Sequence, residues 1–179
     1  MNPKILVGCP ASDYHEYSTK QYLEAVKSLD YDNYDVLLAD NSKTDDFLNR
    51  LKLQGIHAIK IQYVDAPKDR IIESRNALRE VVLRKKYDFF LSLEQDVIPP
   101  SDIIKRLLQH RKEAVTGIYF NYLPGINKPV PLAFVDPKKE GYAMKALTNE
   151  EINSNRLIKI MAAGLGCMLI TNHVLKKIK

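Results

Sequence analysis

The chain lacks any long hydrophobic run. Its longest uninterrupted apolar stretch, residues 161–170, contains two glycines. A membrane-spanning helix needs roughly 18 such residues. Residues 1–12 carry one lysine, a short apolar run and then Pro10, and do not read as a signal peptide. Cysteine is scarce. Cys9 and Cys167 lie far apart, each among apolar neighbours. That disfavours a disulfide scaffold and reads as two reduced core thiols in a cytoplasmic protein. The chain has no G-x-S-x-G, Walker A, G-x-G-x-x-G or C-x-x-C motif. A serine hydrolase, a P-loop NTPase, a dinucleotide oxidoreductase and a thiol redox enzyme are all disfavoured. His15, His57, His110 and His173 do not fall at metal-ligand spacing. No RNA-binding aromatic motif, zinc finger or basic heptad is present, so nucleic acid is not an expected partner.

What remains is an ordinary soluble composition, 45% hydrophobic and 27% charged over 179 residues, which suits one domain. Net charge is +5 but uneven: the first hundred residues hold 14 Lys/Arg and 16 Asp/Glu, the rest 13 and 6. Most lysines in the basic second half read as solvated surface. That half nevertheless leaves open a peripheral contact with an acidic membrane.

The apolar pattern alternates between two periods. Strands are expected at residues 4–9, 35–39, 56–64 and 88–93, the last a near-continuous apolar run suited to burial on both faces. Helices are expected at 17–29, after Ser42 (with Asp45 in a capping box and Phe47, Leu48 and Leu51 as its stripe), at 70–86 capped by Asp69, and from Ser101 to His110. In the third helix Ile71, Ile72, Leu78, Val81 and Val82 are expected on one buried face. Alternating strands and helices imply βαβ units and a mainly parallel sheet. Right-handed crossovers place the ligand crevice at the strands' C-terminal ends. The rhythm changes after Ala114. Strands are expected at 114–121, 132–135, 157–162 and 166–171, with a Pro- and Gly-rich segment at 122–143. A capped helix starts at Thr148 with Glu151, and a final helix covers 173–179. Residues 1–113 and 114–179 read as two halves of one domain.

The strand ends carry the polar residues. The first ends in Cys9, Pro10, Ala11, Ser12 and Asp13, the second in Asp40, Asn41 and Ser42, the fourth in Glu94, Gln95 and Asp96. If the fourth strand stays extended, Glu94 and Asp96 face one way, and two hard carboxylates suit Mg2+ or Mn2+ shared with phosphate oxygens; taken alone, the pair reads as a solvated loop. Ile98, Pro99 and Pro100 turn the chain out directly afterwards. Arg75 lies along the apolar face of its helix. It either pairs with a carboxylate such as Asp40 or Glu94, or reaches the crevice to contact a base or phosphate. Asp40, Asn41 and Ser42 suit hydrogen bonds to a nucleobase or ribose, or a capping loop. Gly164 and Gly166 suit either close backbone approach to a substrate or a tight turn.

These segments together resemble the GT-A glycosyltransferases, especially their large family two. Residues 36–45 (VLLADNSKTD) are similar to its "DNsStD" segment, 73–77 (ESRNA) to its "RN" helix, 91–99 (LSLEQDVIP) to its D-x-D strand, and 163–170 (AGLGCMLI) to its later glycine strand. The order and spacing agree over roughly residues 3–178. The resemblance implies a Rossmann-like GT-A fold, three-layer α/β/α, with a short antiparallel portion in the second half. It implies transfer of a sugar, with inversion, from a UDP- or GDP-sugar to an acceptor hydroxyl on a glycan, protein or lipid, assisted by Mn2+ or Mg2+. Pro10 and Ala11 would border the base. Asp40 and Asn41 would contact base or ribose, Arg75 base or diphosphate, and Glu94 and Gln95 the nucleotide. Asp96 would bind the metal, with Glu94 indirect. Gly164, Leu165 and Gly166 would line the acceptor side. Two departures stand out. Glu94-Gln95-Asp96 is not D-x-D. The family's catalytic acid is absent from residues 172–179, so the chain is expected to stop short of it and the catalytic residue is unknown. Two alternatives remain: a non-catalytic nucleotide-sugar-binding module, and a sugar nucleotidyltransferase. The latter would want a glycine-rich basic loop where this chain has Pro10-Ala11-Ser12-Asp13.

Overall fold

The computed structural model describes residues 2–122, 125–136 and 144–178. Strand β1 (Ile5–Ala11) leads through a 3-10 turn (Asp13–His15) into helix α1 (Glu16–Lys27). Then come β2 (Tyr34–Asp40), α2 (Asp46–Leu53), β3 (Ala58–Lys60), α3 (Pro67–Arg84), β4 (Phe89–Leu93) and α4 (Ile103–Leu108). The second half contributes β5 (Ala114–Thr116), β6 (Phe120–Tyr122), β7 (Pro129–Pro131), β8 (Ala133–Val135) and β9 (Lys145–Ala146). It ends with α5 (Asn149–Ile152), β10 (Ala162–Ala163), β11 (Cys167–Thr171) and α6 (Asn172–Lys177).

Six strands form the main sheet in the order β3-β2-β1-β4-β11-β5. The first four are parallel, and β11 runs antiparallel to both β4 and β5. This is a mixed α/β fold with a mainly parallel central sheet. Both halves of the chain supply strands to it. Alternation along β1 sends Ile5, Val7 and Cys9 to one face, where they pack with Tyr22, Val26, Phe47, Leu51 and Ile104 of α1, α2 and α4. Leu6 faces the other side, with Leu78 and Val82 of α3 and Leu175 of α6. The helices therefore sandwich the sheet in three layers, and the near-continuous apolar run of β4 reflects burial on both faces. The two small sheets, β6-β7 and β10-β8-β9, lie outside it.

Several local expectations are corrected. The strand expected at 56–64 stops at Lys60, because β2 ends at the paired Asp40; one last bond, Ile61 N–H to Asp40 O at 2.8 Å, closes the ladder. Helix α3 starts at Pro67 behind Ala66, not at an Asp69 cap, with proline in the first turn where its missing N–H costs nothing. Its buried stripe is Ser74, Leu78 and Val82, while Ile71 and Ile72 are exposed. The helix is about 27 Å long and packs on strands of about 23 Å or less, so its first turns overhang the strands' C-terminal ends. The strand expected at 114–121 breaks at Gly117, opposite the start of antiparallel β11; Gly117 N–H makes the last bond, to Cys167 O at 2.9 Å. Of 157–162 only the end pairs, as β10. Ser42 does not cap α2; Asp45 occupies that position and Ser42 bonds elsewhere. The Thr148–Glu151 capping box is present in full. The Pro- and Gly-rich segment expected at 122–143 lies partly outside the described residues.

Candidate functional site

Parallel strands bring the ends of β1, β2 and β4 to one edge of the sheet. The ends of β1 and β2 are level, with Ala11 opposite Asp40 and Asn41 N–H donating to Ala11 O at 2.9 Å. On its other side β1 pairs with β4 only as far as Gly8 opposite Ser92. Beyond that point Pro10 has no N–H to offer a neighbour, so the two strands part. The gap falls where strand order reverses, between β1 and β4, which is the crevice position in open α/β sheets.

Gln95 closes the floor of this crevice. It is 3% exposed. Its Oε1 accepts from Ser12 N–H at 3.0 Å, and its Nε2 donates to Thr19 Oγ1 at 2.6 Å and His15 O at 3.2 Å. The amide expected to meet a nucleotide therefore ties the end of β4 to the β1 loop and α1. The second loop is tied in the same way. Asp13 N–H donates to Ser42 Oγ at 3.0 Å, and Asn41 Nδ2 donates to Ser74 Oγ on α3 at 3.1 Å. Asp40 is 0% exposed. Its Oδ1 accepts from Ser42 N–H at 2.8 Å and its Oδ2 pairs with Lys60 Nζ at 2.9 Å. A direct contact between Asp40 and a ligand would need Lys60 to swing aside.

The chain is extended only to Leu93. Val97 N–H then donates to Glu94 O at 2.9 Å, making a turn, so the extended geometry that would align Glu94 with Asp96 is absent. Asp96 is exposed. Glu94 is half-buried and pairs with Arg75, Oε1 to Nη2 at 2.5 Å. Of the two roles open to Arg75, the ion pair is present. Its Nε is nonetheless buried without an acceptor, a rare condition for a guanidinium N–H. Burial pushes the Glu94 carboxyl up, and the Arg75 charge opposes it. Cys9 lies beneath, its thiol pushed up to about 12 by burial and donating to Tyr22 Oη at 3.7 Å. Both cysteines are buried and free, as inert core thiols should be.

Tyr119 is the residue sequence reasoning missed. Gly166 N–H donates to its hydroxyl oxygen at 2.8 Å, and Gly166 O accepts from Glu94 N–H at 3.0 Å. The tyrosine therefore joins the acid turn through one glycine. A Cβ on Gly164 would sit 1.9 Å from Tyr119 Oη, and one on Gly166 2.4 Å from Tyr119 Cζ. The glycines make room for this ring, with Leu165 between them half-buried. Two glycines flanking one residue just before a strand were the available signal. Gly164→Ala is expected to destabilise the fold by about 1–3 kcal/mol. Chemical denaturation should show much of that loss disappearing in a Tyr119→Ala background; an undiminished penalty there would place the clash elsewhere.

Among the described residues no three His, Cys, Asp or Glu side chains gather as a metal cage. Asp96 offers one hard carboxylate. That donor set suits Mg2+ or Mn2+ only when phosphate oxygens and water complete the shell.

No family model matches the sequence, and no curated protein does. Solved structures do match. They place the chain in the Rossmann-like α/β fold of GT-A-like glycosyltransferases and nucleotidyltransferases. S. aureus TarS 1-349 superposes with a TM-score of 0.55 at 13% identity, covering 97% of this chain and 48% of that one. A CMP:2-keto-3-deoxy-manno-octonic acid synthetase complexed with CTP gives 0.53 at 14%, covering 97% and 76%. A 4-diphosphocytidyl-2C-methyl-D-erythritol synthase gives 0.53 at 13%, covering 100% and 81%. The chain spans about half the length of the TarS fragment. Among the described residues no helix is long and apolar enough to cross a membrane.

Proposed function

We propose that this chain binds a nucleotide-diphosphate sugar and transfers the sugar to an acceptor hydroxyl. The observation that carries the reading is the Arg75–Glu94 pair beside the β1/β4 gap, with a buried guanidinium N–H lacking an acceptor and an exposed Asp96 in the adjoining turn. Pro10, Ala11 and Asn41 would border the base. Arg75 would donate to the nucleotide, satisfying its spare N–H, and Glu94 would hold the guanidinium in place and approach the ribose. A divalent ion, Mn2+ or Mg2+, held by Asp96 and the donor's phosphate oxygens, would neutralise charge on the departing diphosphate. Gln95 would act through the loops it clamps, and Asp40 through Lys60. Tyr119, with Gly164, Leu165 and Gly166, would form the acceptor wall.

Calorimetry with UDP and GDP, each with and without Mn2+, tests this. The ion should tighten one nucleotide by about tenfold or more, and Asp96→Ala should erase that gain while leaving metal-free binding unchanged. Failure of both nucleotides to bind, with Asp96→Ala silent, sinks the proposal. Tight binding without turnover would indicate a binding module. A second reading, a sugar nucleotidyltransferase, is favoured by the two synthases whose folds cover nearly all of this chain. The loop Pro10-Ala11-Ser12-Asp13, neither glycine-rich nor basic, speaks against it. Pyrophosphate release from a nucleoside triphosphate and a sugar phosphate would establish it.

A further inference from the structure

Among the described residues, the β6-β7 ribbon is the most exposed apolar feature of the second half. Phe120 is 50% exposed and Tyr122 70%. Being two apart on a strand, they share one face. Tyr119, between Ile118 and Phe120 in sequence, turns inward to Gly166. The connecting residues 125–128 are exposed as well, and include Ile126 and Lys128. Residues 114–135 contain no aspartate or glutamate, although the chain as a whole has 22. They sit in the half that carries 13 Lys/Arg against 6 Asp/Glu.

A second protein copy is a poor occupant for this ribbon. Strand β7 reads Pro-Val-Pro, and neither proline has an N–H to extend a sheet. On β6 the Tyr122 N–H already donates to Asn121 Oδ1 at 2.8 Å. The edges are blunted while the face stays apolar. An aliphatic and a cationic residue near the tip, with aromatics behind them and no acid, match a surface that lies in the headgroup region of a bilayer. Aromatic rings prefer that depth, and lysine reaches lipid phosphates.

We infer that the β6-β7 ribbon docks this protein on an anionic lipid surface through Phe120, Tyr122, Ile126 and Lys128. Because Leu132 N–H donates to Tyr119 O at 3.0 Å, the ribbon is hydrogen-bonded to the proposed acceptor wall. Docking would hold that wall close to the bilayer. The acceptor, if the reading under Proposed function holds, is then a lipid-borne hydroxyl.

The test is co-sedimentation of the full chain with phosphatidylcholine vesicles, with and without phosphatidylglycerol, over a salt series, alongside UDP and GDP binding on the same preparation. Binding should require phosphatidylglycerol and weaken with salt. The Phe120→Ser/Tyr122→Ser double variant should bind at least about tenfold less tightly, and Lys128→Glu about tenfold less. Neither variant should alter nucleotide affinity, since none of the three residues is in the crevice. No sedimentation with phosphatidylglycerol vesicles at low salt overturns the inference. So does binding that both variants leave unchanged, or a dimer in analytical ultracentrifugation that the double variant dissolves. Nucleotide binding without vesicle binding would reject this inference alone; the reverse would reject the donor reading and keep the docking surface.

Discussion

Lys60→Met should lower the stability of the fold by about 3–5 kcal/mol, the usual cost of orphaning a buried charge. Asp40 is wholly enclosed at the end of β2, and the Lys60 ammonium is its counter-charge, 2.9 Å away. The same ammonium donates to Ser42 O at 2.8 Å and to Thr44 O, so it also holds the loop leading to α2. Without it, the carboxylate keeps only the Ser42 N–H. Urea denaturation would show a lower midpoint at unchanged slope, and the thermal midpoint would fall by roughly 10 °C. Adding Asp40→Asn should recover much of the loss, because a neutral amide oxygen still accepts from Ser42. A lone Lys60→Met within about 1 kcal/mol of wild type would show that this pair is not structural.

Arg75→Met should weaken nucleotide binding by about 10- to 100-fold, the weight of one or two charged hydrogen bonds. It should also widen a pH dependence that stability already carries. Burial already raises Glu94 above its usual 4.5, and Arg75 is the first influence opposing this. Removing the guanidinium raises it further. A carboxylate whose folded pKa exceeds its unfolded one binds more protons when folded, so stability falls as pH rises through the window between the two. The variant should therefore lose stability as pH climbs above about 4.5, where Glu94 ionises in the unfolded chain. Arg75→Met/Glu94→Gln should lose this contribution. A lone variant no more pH-dependent than that double would break the link between the two residues.

The parallel half was readable because its strands and helices carry complete local signals. The β4 apolar run follows from neighbours in sequence, and so, in the second half, does the Thr148–Glu151 box. Edges were harder. Where β3 stops, and where the strand after Ala114 breaks, depends on how far a partner from elsewhere in the chain extends. The same holds at the crevice. That Arg75 and Glu94 would converge could be framed from helix spacing and strand ends. That Gln95 faces inward and Lys60 reaches Asp40 could not, because both depend on which loop fills the space beside them. Tyr119 was invisible for the same reason: its partner glycines stand more than forty residues away.

The placement of β11 shapes how this chain is made. Strand β4 is complete at Leu93, yet the strand that covers its open edge begins at Cys167. During vectorial synthesis the nascent sheet carries a bare, apolar edge while the whole intervening segment leaves the ribosome. Strand β5 has no place in the sheet until then, since β11 separates it from β4. Such long-range closure is slow, and an unpaired edge invites intermolecular pairing in the meantime. Chains truncated before residue 167 should therefore stay bound to chaperones after release from the ribosome, whereas released chains that include Thr171 should not.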